Sequence, residues 1–97
     1  MYLKIHPSPE GEIVALCDED ILGRVLTEGR MRLDLKAHGS FYKGRKVAQA
    51  EAVRALTGAR NANIVGGQSL DAAKKAGLDI SGTVLVSGIP HLQIYRV

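Results

Sequence analysis

Alternating apolar and polar residues predict that the chain begins and ends in β-strands. Residues 2–6 alternate in this way, and residues 91–97 repeat the pattern at the other end. A turn rich in proline and glycine at 7–11 separates the first segment from the apolar run 12–17. These segments predict a β-hairpin at the start of the domain and a final strand at its end.

The clearest alternation in the chain predicts a strand over residues 30–36. The residues expected to face inward are Met31, Leu33 and Leu35, and those expected to face outward are Arg32, Asp34 and Lys36. A short strand is expected before it, at 24–27. The β-branched, mostly apolar run 83–87 predicts a central strand of the sheet.

Helical segments are predicted in the middle of the chain. Residues 18–23 predict one helical turn, with Asp18 as its N-cap. Residues 47–57 consist mostly of good helix formers. A second helix is expected over 70–76, with Ser69 as its N-cap. The segment 38–46 contains two glycines and predicts a loop.

The order of these elements, strands followed by two helices and then strands, predicts an α+β fold. We expect a mainly antiparallel β-sheet with two helices packed on one face, in a single compact domain over residues 1–97. No apolar run approaches the roughly 18 residues of a transmembrane helix. A single cysteine cannot form an intrachain disulfide. We therefore expect a cytoplasmic protein with no membrane partner.

The charged residues are separated along the sequence, although the formal net charge is only +3. Residues 10–28 contain six acids and one base, whereas residues 30–46 contain six bases and one acid. Two interpretations remain open. The two blocks could be neighbours in the fold that neutralise each other, or the basic block could bind phosphate groups.

The basic block is the strongest candidate for a functional surface. The residues expected to bind an anion or a nucleic acid are Arg30, Arg32, Lys36, Phe41, Tyr42, Lys43, Arg45 and Lys46. The basic side chains would contact phosphates and the two aromatic side chains would stack on nucleobases. We therefore expect a non-enzymatic module whose partner is RNA or a ribonucleoprotein. No RNP motif, GXXG loop or zinc knuckle is present.

A second candidate is a small-ligand or catalytic site. Its residues are Cys17, Gly66, Gly67, Ser69 and His91. The two glycines precede a predicted helix, whose N–H groups could hold an anion, but a plain turn would use the same residues. The cysteine and the histidine could form a thiol–imidazole pair, although neighbouring acids oppose a thiolate and burial is common for free cysteine.

No other chemistry is indicated by the sequence. The three histidines lack metal-ligand spacing, and helix capping accounts for the adjacent acids at 18–20. We expect no metal and no cofactor. A third interpretation is a structural subunit, in which an exposed sheet edge pairs with a partner chain or a second copy of this one.

Five segments spread along the chain resemble a small archaeal family known only as domain of unknown function number 424. They are Tyr2–Ile5, Ala15–Gly23, Ser40–Gly44, Ala62–Gly66 and Gly88–Gln93. The resemblance implies a stand-alone cytoplasmic archaeal protein. It implies no activity, cofactor or catalytic residue.

Overall fold

The structure, a computed structural model, describes residues 1–96. Val97, the last residue of the predicted final strand, lies outside the described residues. Within residues 1–96, no helix is long and apolar enough to cross a membrane.

The chain opens with the predicted hairpin, formed by β1 (Tyr2–Ser8) and β2 (Gly11–Cys17). The two strands pair in antiparallel register from Tyr2 opposite Cys17 to Ser8 opposite Gly11. The inward apolar residues of this hairpin, such as Leu3 and Leu16, are almost fully buried. The predicted hairpin is confirmed, but its turn is shorter than the predicted 7–11, because β1 continues through Pro7 and Ser8.

Six strands form the main sheet, in the order β5-β1-β2-β6-β8-β7. The four strands not yet given are β5 (Arg45–Lys46), β6 (Asn61–Val65), β7 (Val84–Val86) and β8 (Ile89–Tyr95). Every neighbouring pair is antiparallel except β2 and β6, which are parallel. The sheet is therefore mixed but mainly antiparallel, as expected.

The prediction of a central strand at 83–87 is wrong, because β7 lies at the edge of the sheet. Val84 and Leu85 are 46% and 55% exposed. A β-branched, apolar run favours a strand, but its composition does not determine where in the sheet the strand lies. The two central positions belong instead to β2 and β6.

Two helices, α2 (Gln49–Leu56) and α3 (Gly67–Lys75), pack on one face of the sheet. Their buried side chains, including Leu56 and Ala72, contact apolar residues of the sheet such as Leu16 and Ile64. The α+β fold with two helices on one face is confirmed.

The other face of the sheet carries a second, smaller core. It is covered by a separate two-stranded ribbon, β3 (Val25–Glu28) and β4 (Met31–Asp34), and by the short helix α1 (Gly39–Tyr42). The buried residues of this core are Ala15, Cys17, Ile21, Leu26, Leu35, Tyr42, Val65 and Val86. The segment predicted as a loop at 38–46 therefore contains both α1 and β5.

The predicted strand at 30–36 is shorter than expected, since β4 ends at Asp34. The carboxylate of Asp34 accepts hydrogen bonds from the backbone N–H groups of Lys36 and Ala37, at 3.1 and 2.8 Å. This closes a turn that places Lys36 after the strand rather than on its outer face. Met31, expected inward, is 39% exposed because β3 and β4 form a ribbon outside the main sheet.

Candidate functional site

The basic block contributes two lysines to one groove beside α1, called the basic groove here. Its volume is about 460 Å³, and its lining includes Tyr2, Glu19, Leu35, Lys36, Ser40 and Lys43. The helix α1 is fixed over β1 by two hydrogen bonds. The Lys4 ammonium donates to the Ser40 carbonyl at 2.7 Å, and the His6 ring donates to the Phe41 carbonyl at 2.7 Å.

Three of the six predicted bases are held in ion pairs. Lys46 pairs with Glu19 at 2.7 Å, Arg32 pairs with Asp34 at 3.3 Å, and Arg45 pairs with Glu51. The hydrogen bond and the opposite charge raise the pKa of Lys46 and lower the pKa of Glu19. The three basic side chains are exposed to solvent, so such pairs add little stability.

The other three bases, Arg30, Lys36 and Lys43, are exposed, and the part of the chain that the structure describes offers them no ion pair. Arg30 lies in the turn between β3 and β4, whereas Lys36 and Lys43 line the basic groove. Between residues 1 and 96, ion pairing of the acidic block with the basic block is therefore limited to Glu19 and Lys46.

The aromatic residues of the predicted interface are placed differently from expectation. Tyr42 is 5% exposed, and burial together with the nearby Cys17 raises its pKa to about 12. It cannot stack on a nucleobase. Phe41 is half-buried and stacks on His6 with ring centroids 4.3 Å apart, which occupies one of its faces.

The tyrosine that lines the basic groove is Tyr2, not Tyr42 as the sequence pattern predicts. The ammonium of Lys46 lies 5.8 Å from the centroid of the Tyr2 ring. The sequence does show that Tyr2 lies on the polar face of the first strand, two residues before Lys4. It does not show that long-range packing brings this face against α1.

The predicted ligand site at Gly66 and Gly67 already holds an anion from the protein itself. The carboxylate of Asp18 accepts hydrogen bonds from the backbone N–H groups of Gln68 and Ser69, at 3.1 and 2.8 Å. An external anion would meet this buried negative charge. Asp18 was expected to cap the turn at 18–23, but it makes no cap hydrogen bond there, and Ser69 lies inside α3 rather than at its N-cap.

Cys17 and His91 lie near each other but not in contact. Cys17 pairs with Val65, and Val65 pairs with His91 on the next strand. Two strand spacings separate them, roughly 9–10 Å, so the thiol and the imidazole are beyond hydrogen-bond reach. Cys17 is fully buried, and its burial and the acids Asp18 and Asp20 raise its pKa to about 12, which keeps the thiol protonated.

A second groove lies on the other side of α1, over the sheet, and is called the polar groove here. It has a volume of about 320 Å³ and is lined in part by Leu35, His38, Phe41, Asn63, His91 and Gln93. Of these, the sequence pattern singled out only His91 and Phe41. No local pattern pointed to Asn63 and Gln93 as a pair, because the register of β6 and β8 that places them side by side depends on the fold.

The comparisons with known proteins bear on the family. The family model of the proteins of unknown function called DUF424 matches residues 6–97. The chain belongs to the DUF424 family. The resemblance expected from the five segments is thereby confirmed, and no curated protein matches the sequence.

A solved structure supports the fold. The crystal structure of an uncharacterized conserved protein from Methanopyrus kandleri is similar to this DUF424 protein, with a TM-score of 0.81 and 26% sequence identity. The similarity covers 99% of this chain and 93% of the other. The shared fold therefore extends over nearly the whole of both chains, and the function must be argued from the site.

Proposed function

We propose that this protein is a non-enzymatic module that binds RNA through the basic groove. The observation that carries the proposal is the position of Lys36 and Lys43. Both are exposed and free of ion pairs among the described residues, and both line one groove together with Tyr2. Lysines that are not already neutralised can displace counterions from a phosphate backbone.

The aromatic ring of Tyr2 supports a single-stranded partner. It lies in the same groove as the two lysines, and Lys46 lies above it. A groove that combines positive charge with an aromatic ring suits an unpaired strand, since the phosphates contact the lysine side chains while a nucleobase stacks on the ring.

The state of Cys17 favours binding over catalysis. Its thiol is buried and its pKa is raised to about 12, whereas a nucleophilic cysteine requires an accessible thiolate. Asp18, the most buried acid near it, is engaged by three hydrogen bonds at the start of α3. Neither group is available to a substrate.

The test is the binding of a fluorescently labelled single-stranded RNA at 50 and 200 mM NaCl. The slope of log K against log salt is negative, and each lost phosphate contact makes it less steep by about 0.7. We expect Lys36→Gln and Lys43→Gln each to weaken binding at 50 mM and to make the slope less steep by about that amount. The matched control is Arg54→Gln, which removes an exposed positive charge from α2 on the opposite face.

Two outcomes would overturn the proposal. One is the absence of RNA binding by the wild-type protein at 50 mM NaCl. The other is a loss of affinity in Arg54→Gln as large as in the two groove variants, because net charge alone would then account for binding.

A further inference from the structure

We propose that the polar groove binds a nucleobase, with Asn63 and Gln93 hydrogen-bonded to the edge of the ring. The inference rests on the proposed function in one respect, since the base would belong to the RNA held by the basic groove. It also predicts that free nucleosides bind in this groove, which can be measured without RNA.

The two amide side chains are brought together by the sheet. Asn63 on β6 lies directly opposite Gln93 on β8 in the antiparallel register, so their Cβ atoms are about 4.5–5.5 Å apart on the same face. His91 lies two residues before Gln93 and therefore on that face as well. The lining of the groove includes all three.

The hydrogen-bonding capacity of this face is not used by the protein. Over residues 1–96, the side chains of His38, Asn63, His91 and Gln93 make no hydrogen bond to another residue. Asn63 and His91 are half-buried and Gln93 is exposed, so their polar atoms are free to bond to a ligand in place of water.

The charge of the groove favours a neutral ligand. No lysine or arginine lines it, and the carboxylate of its one acid, Asp34, already accepts hydrogen bonds from Arg32, Lys36 and Ala37. Burial lowers the pKa of His91 below its usual value of 6.5, so this imidazole is neutral at pH 7. A phosphate would find no positive charge here.

The apolar walls and the volume of the groove favour a flat ring. Leu33, Leu35 and Phe41 supply apolar surface, and a volume of about 320 Å³ is at the lower end of the range for small-molecule sites, about 300–1,000 Å³. Amide side chains offer a donor and an acceptor side by side, which matches the edge of a nucleobase. Unpaired RNA bases are recognised by such contacts together with packing against aromatic or histidine rings.

The helix α1 connects the two grooves. Ser40 and Lys43 face the basic groove, whereas His38 and Phe41 face the polar groove. A strand whose phosphates contact Lys36 and Lys43 would therefore pass beside the helix that forms one wall of the polar groove. We expect a neighbouring base of that strand to enter the polar groove beside Asn63 and Gln93.

The experiment is a titration of the ¹⁵N-labelled protein with adenosine and uridine, followed by NMR, with ribose 5-phosphate as a probe that lacks a base. We expect at least one nucleoside to shift the side-chain amide signals of Asn63 and Gln93, and ribose 5-phosphate to leave them unchanged. Gln93→Ala should weaken nucleoside binding roughly 5- to 10-fold. Gln68→Ala, the matched control, removes an exposed amide outside the polar groove and should have no effect.

The outcomes separate this inference from the proposed function. If neither nucleoside shifts these signals at millimolar concentration, or if Gln93→Ala binds as well as the wild type, the inference is overturned even where RNA binding by Lys36 and Lys43 is found. If a nucleoside binds but RNA binding is unaffected by the lysine variants, the inference stands and the proposed function fails.

Discussion

The carboxylate of Asp18 accepts two hydrogen bonds from Ser69, one from the backbone N–H at 2.8 Å and one from the hydroxyl at 2.7 Å. A third comes from the backbone N–H of Gln68 at 3.1 Å. Asp18 follows directly after β2, whereas Ser69 lies in the first turn of α3. One side chain therefore satisfies two of the free N–H groups of a helix that begins about half the chain away.

Replacing Asp18 by alanine should destabilise the protein by about 1–3 kcal/mol, because buried donors at the start of α3 would lose their acceptor. The free energy of unfolding can be measured by urea titration with circular dichroism. The control is Asp20→Ala, since Asp20 is exposed and a surface substitution usually changes stability by no more than about 0.5 kcal/mol. Equal losses in both variants would contradict this role of Asp18.

Gly66 and Gly67 should respond in opposite ways to alanine. Gly66 has a φ of +109°, and a Cβ atom there would overlap the carboxylate of Asp18. The backbone strain alone costs about 1–3 kcal/mol. Gly67 has open space around the position of a Cβ atom, so Gly67→Ala should be neutral or stabilising by up to about 1 kcal/mol. Thermal unfolding of the two variants provides the comparison, and a destabilised Gly67→Ala would count against this reading.

Cys17 should resist thiol reagents in the folded protein. It is fully buried and its pKa is raised to about 12, so neither access nor a thiolate is available at pH 8. We expect a chromogenic disulfide reagent to label it only at the rate of unfolding, and rapidly in denaturing urea. Fast labelling of the native protein at pH 8 would show that the thiol is accessible.

His91 should make stability depend on pH below neutrality. Burial lowers its pKa in the folded state below 6.5, so the unfolded chain takes up a proton first as the pH falls. Its effect on stability is absent well above pH 6.5 and becomes increasingly unfavourable as the pH drops through that value. His91→Gln removes this effect, and urea titrations at pH 7.5 and 5.0 measure it. A larger loss of stability at low pH in the variant than in the wild type would contradict the sign.

Local sequence patterns were sufficient for the fold class and for most of the element types. They missed the short helix α1 and the strand β5, which lie in the segment predicted as a loop. The hairpin β1–β2, the helices α2 and α3 and the final strand follow from periodicity and helix propensity, which depend on neighbouring residues only. The position of β7 at the sheet edge could not be predicted in this way, because strand order depends on contacts between distant segments.

The candidate site shows the same division. The cluster of basic residues at 30–46 is visible in the sequence. The sequence does not show that Lys46 pairs with Glu19, or that Lys36 and Lys43 stay unpaired among the described residues. Asp18 is a residue type that caps helices, as predicted. It caps α3, far along the chain, rather than the turn that follows it directly, and the sequence around Asp18 does not show this. The pairing of Asn63 with Gln93 is set by the register of β6 and β8, which only the fold determines.

The parallel pairing of β2 with β6 has a consequence for how the chain folds. Ile13 pairs with Asn61, so about half the sequence must be organised before the centre of the sheet can form. The hairpins β1–β2 and β7–β8 need only local contacts, whereas joining the halves requires the closure of a long loop, which slows folding. A fragment ending before β6 would retain its hairpin but leave the edge of β2 unpaired. We expect such a fragment to aggregate rather than to form a smaller domain.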